Sequence, residues 1–257
     1  DWSDETLRIA DSAIPLFESE GAHSELARAW RLIGLVHGSA ARYGQSTYAV
    51  SRSMVHARLA GDERLISRNA MGLSISTLLG PTPVLEAIAR CERMIADGLS
   101  DRQAQSKIIC CLAQLHAMNA DFDQARALCR RGRGLLRELG QGVSAASTGI
   151  DLLAVELLAG DLAAAEREVL PDFEFLTRAG ETYFLSTIAA MLSRVVRDQG
   201  RDDDALNYSK IAEGATAADD VESQALWRSV RAPIIARAGD LTEAESLARS
   251  AVGLSQK

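Results

Sequence analysis

The stretch Ala238-Gly239-Asp240-Leu241, followed by Ala244, decides the fold, because a similar pattern occurs six times along the chain. In each copy a small residue closes one helix, a turn follows, and an alanine lies a few residues into the next helix. These alanines are separated by 38, 38, 40, 40 and 39 residues, at positions Ala49, Ala87, Ala125, Ala165, Ala205 and Ala244. One turn per repeat of this length predicts a helical-hairpin solenoid.

The other five turns differ in how clearly they show the pattern. Three are strong and two are weaker, in the order Gln199-Gly200-Arg201-Asp202, Ala159-Gly160-Asp161-Leu162, Asn119-Ala120-Asp121-Phe122, Leu79-Gly80-Pro81 and Arg42-Tyr43-Gly44. An Asp at such a turn can accept a hydrogen bond from the free N–H groups of the coming helix, which we expect of Asp121, Asp161 and Asp240. Pro171 and Pro233 fall inside predicted helices, so each should kink its helix or mark a misplaced boundary.

We therefore predict an all-α fold, a right-handed superhelical α-solenoid of antiparallel helix hairpins. It is tetratricopeptide-like, with about 38–40 residues per repeat and about 13 helices. The composition agrees, because 47% of the residues are hydrophobic but only 5% are aromatic, which suits helices packed through small residues. We expect a single repeat domain over 1–257, with a lone first helix at 3–19 and hairpins at about 22–60, 62–97, 101–139, 142–178, 181–216 and 219–254.

Charge and cysteine content narrow the class of protein. The net charge of -7 argues against nucleic acid as a partner, because binding it needs a basic footprint. No apolar run approaches the roughly 20 residues of a membrane span, and no signal peptide is present, so we expect no membrane partner and a cytoplasmic location. The cysteines all lie in apolar helical stretches, as expected for buried thiols in a reducing compartment: Cys91, Cys110, Cys111 and Cys129.

Catalytic and cofactor motifs are missing from the sequence. Gly132-Arg133-Gly134 departs from the dinucleotide-binding pattern because Arg137 occupies its last position, and no phosphate-binding loop or nucleophile elbow occurs. The four histidines are scattered without metal-ligand spacing. We therefore predict no catalytic residue, no metal and no cofactor, and look for function on the surface of the repeats.

One candidate surface is a ribbon of arginines on the second helix of the third hairpin. Arg126, Arg130, Arg133 and Arg137 are spaced by four, three and four residues, so they follow one face of that helix. They could receive an acidic partner or another domain. The alternative is the solvated outer face of an amphipathic helix.

The other candidate lies in the last hairpin, where Gln224, Trp227, Arg228 and Arg231 share a helix face. An aromatic side chain flanked by two arginines would make a good anchor for a partner in a groove. The alternative is that Trp227 fills the joint between the last two hairpins while the arginine stems pack over it.

Three segments also resemble a known family. They are residues 219–232 (DDVESQALWRSVRA), residues 26–34 (LARAWRLIG), and GPTP at 80–83 followed by EAIARC at 86–91. They resemble the C-terminal tetratricopeptide-like repeat region of bacterial multidomain regulators that begin with a class III adenylate/guanylate cyclase domain, followed by an AAA-type ATPase. The family's catalytic aspartates and phosphate-binding loop lie in those other domains, so the resemblance implies no catalytic residue here.

The resemblance implies a sensor or scaffold that controls an upstream ATPase and cyclase. We therefore expect a non-catalytic interaction module that presents a concave groove to a protein or peptide, including the upstream domains of its own chain. The alternative is a sensor that holds a small anionic metabolite in the same groove. The chain begins Asp1-Trp2-Ser3 without Met, which suggests a piece of a longer protein, and its first helix could pair two copies into a homodimer.

Overall fold

The structure, a computed structural model, describes residues 2–99, 101–218 and 220–256. These residues form fourteen helices and no strand, and consecutive helices pack as pairs, which confirms the predicted all-α repeat of helix hairpins. The count differs from 13 because Thr148 alone separates two helices within the predicted helix at 142–159. Asp219, the predicted start of the last hairpin and of the resembling stretch, lies outside the described residues.

The contacts divide the chain into two compact units, Asp1–Leu135 and Leu136–Lys257. Unit 1 contains six helices and most of a seventh, with the bounds α1 Trp2–Ser19, α2 His23–Ser39, α3 Tyr43–Leu59, α4 Glu63–Leu79, α5 Val84–Ala96, α6 Arg102–Met118 and α7 Phe122–Glu138. Besides the contacts between consecutive helices, α2 contacts α4 and α4 contacts α6. The first helices of successive hairpins are therefore neighbours in this unit. A single domain over the whole chain stays a prediction.

Unit 2 follows the same plan after the last residues of α7. Its helices are α8 Gly142–Ser147, α9 Gly149–Ala159, α10 Leu162–Ala179, α11 Tyr183–Asp198, α12 Asp202–Ala215, α13 Val221–Arg237 and α14 Leu241–Ser255. Here α9 contacts α11, and α11 contacts α13. Hairpins therefore succeed one another in line within this unit as well.

The turns between helices depend on a residue in the left-handed backbone region. Glycine fills most of these positions, but Ala41 and Ala120 do so with φ of 55° and 63°. Glycine adopts this conformation without steric cost, whereas a Cβ makes it unfavourable. The weakest predicted turn was misplaced for this reason: Ala41 makes the turn, and Gly44 lies in the first turn of α3.

The six repeat alanines all lie inside the molecule, and none is more than 6% exposed. Each sits near the start of the second helix of its hairpin, where the two helices approach closely. The contact at the third hairpin shows how close this is, because a Cβ on Gly132 of α7 would lie 2.7 Å from the Sγ of Cys110 on α6. Small side chains therefore set the spacing of the repeat.

Helix starts confirm the predicted capping by Asp161 and Asp240, whereas capping by Asp121 stays a prediction. The side chain of Asp161 accepts a hydrogen bond from the Ala164 N–H at 2.9 Å, and Asp240 accepts one from Glu243 at 2.9 Å. Asp62 caps α4 in the same way. Pro171 and Pro233 lie inside α10 and α13, which continue past them, so neither marks a misplaced boundary.

One stretch, Gly142–Ala159, is long and apolar enough by length and composition to cross a membrane. The expectation that no such segment exists is therefore wrong on those two criteria. A core helix passes the same test, and 44% of this stretch is buried inside the structure, including the carboxylates of Asp151 and Glu156. The finding is weak evidence for a membrane span, and a cytoplasmic location stays a prediction.

Candidate functional site

The side chain of Trp227, predicted as a partner anchor, lies in the core of unit 2. Only 3% of it is exposed, and it packs with Ala189 of α11 and Ala212 of α12. The indole N–H faces the side-chain oxygen of Gln224 at 3.3 Å. This is the alternative interpretation, in which the indole fills the joint between the last two hairpins.

Both neighbouring arginines stack on that indole. The guanidinium carbons of Arg228 and Arg231 lie 4.1 and 4.4 Å from the ring centroid. Arg231 also donates to Glu213 at 2.8 Å and to Ser209 at 3.0 Å, both on α12. Arg231 therefore has a counter-ion on the neighbouring helix.

Two of the four residues predicted to bind a partner at this cluster are buried, and partner binding by the cluster stays a prediction. Trp227 is in the core, and Arg231 is only 9% exposed, so neither presents a free side chain to a partner. Gln224 and Arg228 are half-buried, and Arg228 donates to the backbone oxygen of Gln224 at 2.7 Å. Burial lowers the pKa of the Arg228 guanidinium, Glu213 raises it and Arg231 lowers it again. The cluster is a joint between α12 and α13, although one buried guanidinium nitrogen of Arg231 has no hydrogen-bond partner in the described chain.

The arginine ribbon lies on α7 as predicted, and its four members differ in exposure. Arg130 and Arg137 are exposed, whereas Arg126 and Arg133 are half-buried, and Arg126 lies 3.8 Å from the carboxylate of Asp123 on the same helix. Ala125 and Leu128 on the opposite face are buried. This is the arrangement of an amphipathic helix with a solvated outer face. Binding of a partner to the ribbon stays a prediction.

A basic pocket in unit 1 was missed by the sequence analysis. It has a volume of about 460 Å³ and lies between α2 and the start of α4, lined by Arg28, Arg31, Leu32, Leu35, Asp62, Arg64, Leu65 and Arg68. Leu32 and Leu35 are 43% and 52% exposed, so the wall offers apolar surface beside the charges. We call this set of residues the arginine pocket.

A chain of hydrogen bonds holds Arg31 in place. Its guanidinium donates to the Asn69 oxygen at 3.1 Å, and the Asn69 amide donates to the Ser53 hydroxyl at 2.8 Å. Ser53 in turn donates to the backbone oxygen of Ala27 at 2.6 Å. The chain runs from α2 through α4 and α3 back to α2, so it fixes the side chain that lies deepest in the pocket.

Positive charge exceeds negative charge in the lining of the arginine pocket, which has four arginines and one aspartate. Burial lowers the pKa of the Arg31 guanidinium, and the positive charge of Arg68 lowers it further. Over the described ranges of the chain, none of the pocket's four arginines forms an ion pair with a carboxylate. The one acid in the lining, Asp62, accepts the Leu65 N–H at 2.9 Å as a helix cap. The pocket therefore favours an anion from outside.

A signal for this pocket was present in the sequence. Arg28 and Arg64 are 36 residues apart, and Arg31 and Arg68 are 37 apart, which is close to one repeat. Residues one repeat apart occupy matching positions on neighbouring first helices, so the two pairs converge. Comparing arginines across repeats, instead of along one helix, would have identified the pocket.

Other titratable groups do not assemble into a metal centre. Within the parts of the chain that the structure describes, no group of three or more His, Cys, Asp or Glu could hold a metal ion. His23 and His56 stack, with their Nδ1 atoms 3.2 Å apart, so one ring must donate to the other. The first helix, α1, buries Ala10 and Ile14 and exposes Ile9 and Leu16. A homodimer through that exposed face stays a prediction.

Comparisons with known proteins identify no family for this chain. No family model matches the chain, and no curated protein matches it. Among solved structures, the chain is similar to BtubC (BKLC) from P. vanneervenii, with 16% identity and a TM-score of 0.48, over 100% of this chain and 92% of that one.

Proposed function

We propose that this chain is a non-catalytic interaction scaffold that binds a partner protein on the first helices of unit 1. The observation that carries the proposal is the arginine pocket, where four guanidiniums that pair with no carboxylate among the described residues lie beside two exposed leucines. Charged and apolar groups side by side are typical of surfaces that recognise a protein segment. The pocket is also basic in a chain of net charge -7, so its charge does not follow from composition.

The stacked hairpins explain why a surface would carry the function. Each hairpin buries its apolar face on its neighbours and leaves the other faces to solvent, which suits extended tetratricopeptide-like binding surfaces. The resemblance to cyclase–ATPase regulators makes an ATPase domain and a cyclase domain of that type the first partners to test. Binding would then shift an equilibrium between two states of a larger protein, provided the partner binds one state more tightly.

A binding experiment with purified domains tests this proposal. We expect such an ATPase or cyclase domain to bind the wild-type chain and to lose binding when all four pocket arginines become Gln. The matched control is Arg8→Gln, because Arg8 is an exposed arginine of unit 1 outside the pocket, paired with Glu5. Equal binding by the pocket variant and the control would contradict the proposal, as would cyclase or ATPase turnover by the chain alone.

A small-molecule sensor is the second candidate. The pocket volume of about 460 Å³ favours it, because ligand sites of small molecules occupy about 300–1,000 Å³. A thermal-shift screen with anionic metabolites distinguishes the two: a sensor would be stabilised by one metabolite class and would bind no protein domain.

A further inference from the structure

We infer that the arginine pocket holds the carboxylates of an acidic peptide segment whose apolar residues pack on Leu32 and Leu35. The inference rests on the proposed function and names the chemistry of its partner. Arg31 of α2 and Arg68 of α4 line the same pocket from two helices, so a single carboxylate can lie between them. A planar guanidinium matches the two oxygens of a carboxylate in a bidentate pair.

The outer arginines provide room for further negative charge. Arg28 and Arg64 are exposed, as Arg68 is. Arg28 lies about one turn from Arg31 on α2, and Arg64 lies about one turn from Arg68 on α4. A second carboxylate of an extended or helical segment can reach them while the first is held inside. A segment with acids on both sides of an apolar residue therefore fits the lining better than a single acid does.

The remaining lining favours a peptide over a compact polyanion. Asp62 places a carboxylate in the wall, which repels the dense charge of a triphosphate more strongly than the single charge of a peptide carboxylate. Its capping bond to Leu65 uses one oxygen, which leaves the other to accept an N–H from a peptide backbone. Leu32 and Leu35 add apolar area that a phosphate group cannot use.

A carboxylate bound in the pocket would also stabilise the positive charge of Arg31. A carboxylate beside this guanidinium favours its charged form, which burial and Arg68 both disfavour. Because the hydrogen bonds through Asn69 and Ser53 already fix Arg31, little side-chain entropy is lost on binding. Affinity should therefore depend most on Arg31, because Arg68, like Arg28 and Arg64, is exposed and has no such bonds in the described part of the chain.

Fluorescence anisotropy with a labelled peptide tests the inference. The probe is a fluorescein-labelled peptide that alternates Glu-Glu with Leu, and the comparison peptide replaces each Glu with Lys. We expect the acidic peptide to bind the whole chain, to weaken as salt rises from about 0.05 to about 0.5 M, and to bind at least about tenfold more weakly to Arg68→Gln and to Arg31→Gln. Arg8→Gln should bind as the wild type does.

Arg68→Gln is the decisive variant, because Arg31 has a hydrogen bond within the fold whereas Arg68 serves no bond or ion pair in the described part of the chain. Arg31→Lys adds a second readout: it keeps the charge but loses the planar fork, so binding should fall although the fold is kept. Circular dichroism of every variant checks that the helices are intact.

The outcomes separate this inference from the proposed function. No binding of the acidic peptide, equal binding by Arg68→Gln, or tighter binding of inorganic triphosphate than of the peptide would each overturn the inference. If a partner domain still bound through the pocket, the proposed function would survive that result. If the peptide bound as expected but neither partner domain bound, the inference would stand and the proposed identity of the partner would fall.

Discussion

Two clusters of arginine lie on first helices of hairpins, one in each unit, and they differ in what faces them. On α13 of unit 2, Arg231 stacks on Trp227 and pairs with Glu213 of the preceding helix, α12. In unit 1, Arg31 faces Arg68 across the arginine pocket without a carboxylate partner in the described ranges. The residue opposite an arginine, on a neighbouring helix, therefore decides whether the charge of that arginine is paired within the fold.

The largest expected effect is on the aromatic side of this comparison. Trp227→Ala should lower the free energy of unfolding by about 3–5 kcal/mol, because it leaves a cavity among Ala189 and Ala212 and removes the ring on which two arginines stack. Urea unfolding measures the loss, and hydrogen exchange should place it in unit 2. Trp227→Phe is the matched control and should cost less. If Trp227→Ala were as stable as the wild type, the indole would not contribute to the core.

The second effect concerns the paired arginine. Arg231→Gln should destabilise the chain by about 1–3 kcal/mol, because Glu213 and Ser209 lose their partner. Glu213 is half exposed, so water compensates part of the loss. Urea unfolding measures this change too. Arg228→Gln is the control, since Arg228 bonds only within its own helix, and an equal cost for both variants would remove the distinction between them.

The matching change in unit 1 should have almost no effect on stability. Arg68→Gln should alter the free energy of unfolding by no more than about 0.5 kcal/mol, because no ion pair of the described chain is lost and repulsion of Arg31 is relieved. The same urea titration measures it beside Arg231→Gln. A cost as large as that of Arg231→Gln would show that Arg68 serves the fold.

The smallest expected effect is a difference between the two units in how their stability depends on pH. All four histidines lie in unit 1, and burial lowers the pKa of His37 and, with Arg52 and His23, that of His56. The unfolded chain then binds more protons, so stability from these groups is complete above their ordinary pKa and is lost as the pH falls below it. As the pH falls from about 7.5 to about 5, the protection of amides against hydrogen exchange, corrected for the pH dependence of intrinsic exchange, should therefore fall more in unit 1 than in unit 2. His56→Gln should reduce that difference.

The helices and their order were predictable from sequence because local signals are repeated. The spacing of the alanines from Ala49 to Ala244, with aspartates such as Asp161 and Asp240 at the turns, placed every hairpin close to its observed bounds. The predicted helix boundaries were wrong where one repeat departs from the pattern of the others. Ala41 makes a turn that favours glycine, and Thr148 interrupts a helix without any Gly or Pro to mark it.

The candidate site was harder to predict, because the spacing of residues on one helix does not show which face is covered. Trp227 and its arginines have the spacing of a surface anchor, yet α11 and α12 enclose the indole. The arginine pocket needed two helices from different repeats, and the pairing of Arg31 with Arg68 is visible only once the repeat length is known. Contacts between repeats, not patterns within one helix, determine both sites.

The cysteines make the opening of unit 1 measurable by chemical labelling. All four thiols lie in unit 1 and are buried, and burial, with Cys111 and Glu92, raises the pKa of Cys91 to about 12. A thiol-modifying reagent reacts with the thiolate and needs access to it, so it can label these positions only when the surrounding hairpins separate. The labelling rate therefore reports how often unit 1 opens, because unit 2 has no cysteine to label. Labelling should slow when a bound peptide holds α2 and α4 together.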